Sequence, residues 1–143
     1  MSLDEKKSVV HAFAEVINSH DLAQLGSVIS NEYIQHRSDV GSGLEPVRHY
    51  FAELLAAFPD LIRTDEDIVA EGDKVWVRTS YRGTHLGTYR GVQPTGREIG
   101  YRTVDIFRII EGKLVERWDV VDQLDMLMTI GAVAPVPPVR WGT

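Results

Sequence analysis

The first 60 residues carry their hydrophobic positions at the spacing of α-helices. The first helix is indicated by an apolar stripe that consists of Val9, Val10, Phe13, Val16 and Ile17. Asp21 is placed to N-cap a short second helix, with Gln24 three residues later. A short strand over residues 32–36 follows, and Pro46 suits the first turn of a third helix that Pro59 ends.

From residue 61 onwards the spacing changes to the two-residue period of β-strands. Segments 61–71 and 74–85 are predicted strands. The inner face of the second one is expected to carry Val75, Val77, Thr79, Tyr81 and His85. Residues 86–96 contain three glycines and a proline, which indicates a loop or a broken strand. Near the end, Asp122 is placed to N-cap a last helix that Gly131 ends.

Segment 98–122 is predicted to be a hairpin that turns at Glu111-Gly112. One face of its first strand is lined by Ile99, Tyr101, Thr103, Asp105, Phe107 and Ile109. A carboxylate at Asp105 is costly in this core-facing row unless it is paired or used. A two-residue turn pairs Asp105 with Trp118 and directs Asp119 to the other face. A single β-bulge near Trp118 would instead bring Asp119 to the side of Asp105, and bulges are common beside active sites.

Helices followed by a run of antiparallel strands indicate an α+β fold. We expect a cone-shaped, curved antiparallel sheet with three helices packed on its concave face, leaving an open mouth that serves as a pocket. No internal repeat or linker divides the chain. Residues 1–143 are therefore predicted to form a single domain, with 132–143 as a proline-rich C-terminal tail in an extended conformation.

Composition narrows the choice of partners and location. A formal net charge of −6 argues against nucleic acid or an anionic membrane as partner. The chain has no cysteine, which excludes disulfides and thiolate chemistry. No apolar run approaches the roughly 20 residues of a membrane span, and no secretory signal is recognisable, so we expect a cytoplasmic protein. Scattered histidines and the absence of a phosphate-binding glycine loop predict no metal and no organic cofactor.

Several polar and aromatic side chains are expected on the wall of the cone. They are Tyr33, His36, Tyr81, His85, Tyr101 and Trp118. Each of the two histidines is more often a satisfied polar residue than a catalyst, and Trp118 is more often a core residue. With Asp105 and Asp119 nearby, these side chains would form a pocket suited to general acid–base chemistry.

The chain resembles the SnoaL-like polyketide cyclase domains of the nuclear transport factor 2-like superfamily. The similarity lies in G-T-H-L-G at 83–87, G-V-Q-P-T-G at 91–96 and D-I-F-R-I-I-E-G-K-L-V-E-R-W-D-V-V-D at 105–122. It implies ring closure in a polyketide ester by intramolecular aldol condensation without a cofactor, with Asp119 as the acid–base residue. Asp105 stands where the cyclases have a histidine. Two carboxylates in a dry cavity resist ionising together, so we expect one raised pKa.

The sequence therefore favours a small acid–base enzyme of the cyclase or isomerase type, acting on a hydrophobic carbonyl compound. Asp119 would take a proton from the carbon next to the carbonyl and return it, and a protonated Asp105 would hydrogen-bond the enolate oxygen. The alternative is a non-catalytic cone that binds a small apolar ligand or serves only as a dimerising scaffold.

The outer face of the predicted sheet indicates a homodimer. Strand parity directs Trp76, Val104 and Ile106 outwards on what are expected to be neighbouring strands. A monomer would leave them as a contiguous apolar patch, which soluble monomers tend to avoid. The expected polar rim consists of Arg78, Arg82, Arg102 and Arg108. Trp141 in the tail is expected to lie across the same partner.

Overall fold

A computed structural model describes residues 1–137 and contains three α-helices, one 3₁₀ helix and five strands in that range. The α-helices are α1 (Leu3–Ser19), α2 (Leu44–Ala57) and α3 (Leu124–Thr129), and the 3₁₀ helix spans Leu22–Ser27. The strands are β1 (Ile29–Gln35), β2 (Ile62–Glu71), β3 (Lys74–Thr84), β4 (Glu98–Ile110) and β5 (Lys113–Asp122). The predicted order of helices and strands is confirmed.

The strands form one curved, unclosed sheet in the order β1-β5-β4-β3-β2. The four strands of the second half pair antiparallel, as predicted, and β1 joins the free edge of β5 in parallel. The concave face is covered by α1 and α2. Phe13 of α1 meets Phe51 of α2 and Phe107 of β4 edge to face, at centroid distances of 5.7 and 5.6 Å. These contacts place the hydrophobic core inside the cone.

Two predicted helix caps are absent. Asp21 makes no capping hydrogen bond, and the segment behind it is a 3₁₀ helix that gives way to β1 at Ile29. Asp122 belongs to β5 and pairs with Arg102 at 2.7 Å, while Gln123 is the N-cap position of α3. Asp122 is unavailable as a cap because it is the last residue of β5 and its carboxylate binds Arg102.

The C-terminal tail is described as far as residue 137. The predicted contact of Trp141 with a partner lies outside the described residues. Within residues 1–137, no helix is both long and apolar enough to cross a lipid bilayer.

The loop between β3 and β4 packs tightly against the C-terminal end of α2. The N–H groups of Leu86 and Gly87 both donate to the carbonyl oxygen of Ala57. A Cβ atom at position 87 would lie 2.1 Å from the carbonyl oxygen of Ala56, well inside van der Waals contact. Gly87 therefore permits an approach that any other residue would block.

We expect Gly87→Ala to destabilise the fold by about 1–3 kcal/mol, because the loop must move away from α2 to relieve the overlap. Urea denaturation measures the loss. Gly91→Ala in the same loop is the matched control for glycine removal, since nothing lies within 4 Å of its Cβ position. The positive φ of 81° at Gly91 costs an alanine there about 1–2 kcal/mol, a cost that Gly87 does not share. A Gly87→Ala loss smaller than that of the control would show that the Ala56 contact is unimportant.

Candidate functional site

A β-bulge in the β4–β5 hairpin puts two carboxylates side by side. Ile109 pairs with Leu114, but Arg108 pairs with Glu116, so Val115 is the extra residue. The shift pairs Asp105 with Asp119 and turns both side chains to the concave face. The structure thus contains the bulge that the sequence allowed, three residues nearer to the turn than expected. Both turn residues have positive φ, 50° at Glu111 and 78° at Gly112, as a tight hairpin turn requires.

The Asp119 carboxylate is buried among polar partners. Its side chain has no solvent exposure. Oδ1 accepts a hydrogen bond from Nε2 of Gln35 at 3.1 Å, and Oδ2 accepts one from Nη1 of Arg37 at 3.3 Å. Nη2 of Arg117 lies 3.7 Å from Oδ2. A carboxylate with two positive neighbours and no water contact is held in one orientation, as proton transfer to a bound substrate requires.

Gln35 is fixed from its other side by Tyr33. The buried Tyr33 hydroxyl donates to Oε1 of Gln35, which leaves the amide nitrogen to donate to Asp119. Burial raises the pKa of Tyr33 far above its ordinary value despite the opposing charge of Arg117, so the phenol remains a donor. Both residues come from the inward positions of β1, two residues apart, as strand alternation requires.

Asp105 lies deeper in the cone, between two buried arginines. Nη1 of Arg63 donates to its Oδ2 and Nη2 of Arg117 to its Oδ1, both at 2.9 Å. Burial opposes ionisation of Asp105, but the charges and hydrogen bonds of Arg117 and Arg63 outweigh it and lower the pKa. The expectation of a protonated Asp105 is therefore wrong, because it counted the neighbouring carboxylate and omitted the two arginines.

The residues that sequence reasoning missed are mainly these cations. Arg63 and Arg117 have almost no side-chain exposure, and Arg37 is 15% exposed. Strand parity could have revealed Arg117, which stands two residues before Asp119 and so shares its face. It could also have revealed Gln35, two residues after Tyr33. Arg63 had no such signal, because its strand alternates weakly.

Three of the predicted wall residues lie inside the cone. Tyr33 is buried beside Gln35, and Tyr81 and Tyr101 are cross-strand neighbours whose rings stack 4.8 Å apart. The Tyr81 hydroxyl accepts a hydrogen bond from Nη1 of Arg63 at 2.8 Å. Tyr81 therefore helps to position the arginine that binds Asp105.

His36 and Trp118 were predicted to face the cone and instead lie on the outer surface. Trp118 pairs with Ile106, whose neighbours Asp105 and Phe107 both point inwards, so the indole points outwards. The His36 ring stacks on it at 4.8 Å, and His36 Nε2 lies 2.7 Å from Glu116. The correction for His36 follows from register, because Gln35 occupies the inward position. Trp118 moves outwards because the bulge turns Asp119 inwards.

His85 is buried in the loop after β3 and does not join the carboxylates. Its Nδ1 accepts a hydrogen bond from the backbone N–H of Thr95 at 3.2 Å, and its ring contacts Phe58 at a centroid distance of 5.6 Å. These contacts tie the two ends of the 86–96 segment together. The expectation of a satisfied polar residue holds for Nδ1 only, because Nε2 of His85 is buried without a hydrogen-bond partner among the described residues.

A cavity of about 380 Å³ opens between α2 and the loop that follows β3. Its wall includes Asp39, Tyr50, Leu54, Thr88, Tyr89 and Arg90. Arg37 separates it from Asp119, because one guanidinium bonds to Tyr50 and Asp39 in the wall and to Asp119 behind it. A ligand in this cavity reaches the carboxylate only when the Arg37 side chain moves.

No metal-binding cluster of three or more His, Asp or Glu side chains occurs within residues 1–137. The polar groups around Asp119 are two guanidinium groups and an amide, which suit anions and carbonyl oxygens better than cations.

Comparisons with known proteins agree with the observed fold. A family model described as SnoaL-like polyketide cyclase matches residues 7–130. Among solved structures, AclR of Streptomyces galilaeus, a proposed hydroxylase, is 31% identical with a TM-score of 0.86, over 95% of this chain and 87% of that one. IdmH of Streptomyces antibioticus, a proposed polyketide cyclase, is 30% identical with a TM-score of 0.77, over 88% of this chain and 98% of that one.

Among curated proteins, the aklanonic acid methyl ester cyclase DnrD of Streptomyces peucetius is 31% identical over 74 residues. The match takes in 50% of this chain and 51% of DnrD, so it spans about half the length of that relative.

Proposed function

We propose an activity for this chain, which belongs to the family of SnoaL-like polyketide cyclases. It catalyses cofactor-independent acid–base chemistry of the cyclase or isomerase type, and its substrate is a small hydrophobic carbonyl compound. The observation that carries the proposal is the Asp119 carboxylate, buried and held by Gln35 and Arg37 behind a cavity large enough for a small molecule. Asp119 is the proposed general base and acid.

In the cyclase reaction, an Asp119 oxygen takes a proton from the carbon next to a substrate carbonyl. The electron pair of the broken C–H bond forms the new C–C bond to a second carbonyl carbon, whose oxygen becomes an alkoxide. The proton on Asp119 then passes to that alkoxide and regenerates the carboxylate. No electrons enter or leave, so the step requires no redox partner.

The neighbouring groups have supporting roles in this proposal. The Tyr33–Gln35 pair orients the carboxylate, and the positive charge of Arg117 stabilises the negative charge that develops on the substrate. Asp105 does not donate a hydrogen bond to the enolate, because its lowered pKa leaves it ionised and without a proton. It balances the charge of Arg117 instead, and is proposed as a positioning residue.

Incubation with aklanonic acid methyl ester, the substrate in the name of the relative DnrD, is the first test, with product formation followed by chromatography and mass spectrometry. A thermal-shift screen of small carbonyl compounds extends the search, since a ligand that binds the folded state raises its melting temperature. Turnover of any compound of this class supports the proposal. Tight binding of several without turnover contradicts it.

A binding protein without activity is the second candidate, favoured by the Arg37 side chain that covers Asp119. The two candidates differ in what the carboxylate is for. In a binding protein, replacement of Asp119 would leave the ligand affinity unchanged. In an enzyme, the same replacement would lower the rate of the reaction.

The outer face of the sheet supports a homodimer. One apolar row crosses four neighbouring strands through successive cross-strand pairs. It consists of Val69, Trp76, Ile106 and Trp118. Val104 and Val120 pair in the next row, and the exposed fractions of Trp76, Val104 and Val120 are 49%, 40% and 73%. Such a band is self-complementary about a two-fold axis and would be buried by a second copy.

We expect Trp76→Glu to convert a dimer into a monomer, because the partner would have to bury an unpaired charge at the centre of the band. Light scattering during gel filtration at micromolar concentration gives the mass. Leu86→Glu is the control, since Leu86 is 56% exposed on the loop after β3 and outside the band. A monomeric wild type, or a Trp76→Glu variant that remains dimeric, would refute the proposed interface.

A further inference from the structure

The cavity mouth contains a carboxylate held by two arginines, and the carboxylate belongs to the chain itself. Arg37 binds Asp39 through two parallel hydrogen bonds, Nε to Oδ1 at 3.1 Å and Nη2 to Oδ2 at 2.6 Å. Nη2 of Arg90 donates to the same Oδ2 at 3.1 Å. Two guanidinium groups are thus already arranged around one carboxylate, in the two-pronged geometry that arginine uses to recognise carboxylates.

Both arginines also contact aromatic rings. Arg37 lies over the ring of Tyr50 at 5.2 Å and Arg90 over the ring of Tyr89 at 5.5 Å, and both tyrosines line the cavity. Removal of Asp39 would therefore leave the two cations beside the cavity with their ring contacts intact.

The backbone at Arg90 is a second and independent observation. Tyr89 and Val92 exchange backbone hydrogen bonds around a two-residue turn in which Arg90 and Gly91 have φ values of 47° and 81°. The left-handed region disfavours a long side chain, and asparagine or glycine is usual at the first position of such a turn. Local conformation does not explain an arginine there, whereas its position at the cavity wall does.

We propose that Arg37 and Arg90 form the binding site for a carboxylate group of the substrate, in the place that Asp39 takes when the cavity holds no ligand. Asp39 is displaced readily because its side chain is already 40% exposed to solvent. This inference rests on the proposed function for the reaction that follows, and adds the chemical class of the substrate: a small carbonyl compound that carries a free carboxylate.

The same guanidinium would link the substrate to Asp119. Arg37 reaches Asp119 through Nη1 and holds Asp39 through Nε and Nη2. A substrate carboxylate in the place of Asp39 would bind Nε and Nη2 and leave Nη1 on Asp119. Arg37 would then hold the substrate next to the proposed base.

The test uses benzoate as the carboxylate probe and benzamide as its uncharged counterpart, titrated into ¹⁵N-labelled full-length protein and followed by NMR. We expect benzoate to bind Asp39→Ala at least tenfold more tightly than wild type, because the competing carboxylate is gone. Adding Arg90→Gln to that variant should remove at least tenfold of the affinity. Benzamide should bind wild type and Asp39→Ala alike.

The control for general charge is Glu53→Gln, since Glu53 lines the same cavity and pairs with His49 rather than with an arginine. It should change benzoate affinity about twofold or less. Equal benzoate affinities for Asp39→Ala and wild type, or equal gains from Asp39→Ala and Glu53→Gln, would overturn the site. Asp39→Asn repeats the test with a side chain of the same size.

Failure of this site and failure of the proposed function have different signatures. Benzoate binding needs no turnover, so Asp119→Asn should bind benzoate at least as tightly as wild type. If the benzoate affinities follow the expected pattern but the protein turns over no carbonyl compound, the carboxylate site is supported and the proposed enzymatic activity is refuted. If the protein turns over uncharged carbonyl compounds but the benzoate affinities do not follow that pattern, the proposed enzymatic activity is supported and the carboxylate site is refuted.

Discussion

Asp119→Asn is expected to lower kcat by about 10²–10⁴, the usual share of general acid–base catalysis, while the protein stays folded. Asparagine has the shape of aspartate, and its amide oxygen can still accept the hydrogen bond that Gln35 donates. What it lacks is the ability to take a proton from carbon. The loss should therefore appear in kcat, with little change in KM, because the proposed recognition site lies in the cavity and Arg37 separates the cavity from Asp119.

The matched control is Asp122→Asn, three residues further along β5. Its carboxylate is 55% exposed and paired with Arg102 on the outer side of the sheet. It should retain wild-type kcat and KM for whichever substrate the screens identify. An Asp119→Asn variant with an unchanged rate would remove Asp119 from the mechanism, whatever the effect of the control.

The hairpin could be located from the sequence because its alternation is strong and its turn is specific. The orientation of its second strand could not, because a single extra residue reverses the side of every later side chain. Val115 is that residue, and nothing in its type marks it as a bulge. The family resemblance at Asp119 favoured the bulged register, and that register in turn requires Trp118 to face outwards.

The interior charges were beyond sequence reasoning for a different reason. Arg63 and Asp105 are 42 residues apart in the chain, and only the sheet order β5-β4-β3-β2 brings their strands to the same depth of the cone. A pattern within one strand reports which face a residue is on. It does not report which residue from a distant strand it meets, so the partners that lower the pKa of Asp105 could not be anticipated.

Asp105→Asn is expected to cost about 3–5 kcal/mol of stability at pH 7, the usual penalty for breaking a buried ion pair by removing one partner. Asp105 accepts hydrogen bonds from Arg63 and Arg117, so asparagine would leave Arg63 with only Asp65, and Arg117 with only Asp119, as a charged partner. Urea denaturation measures the loss. Asp122→Asn removes an exposed ion pair and should cost about 1 kcal/mol or less.

The same residue predicts how stability depends on pH. The folded-state pKa of Asp105 lies below its unfolded value, so its contribution is fully present above the unfolded pKa of about 3.9 and is lost as pH falls through the folded pKa. Wild-type stability should therefore fall more steeply with acidification below about pH 4 than that of Asp105→Asn, which has no such proton to bind. Parallel denaturation series at pH 7, 5, 4 and 3 compare the slopes. Equal slopes, or a loss at pH 7 no larger than that of Asp122→Asn, would show that the buried pairing contributes little.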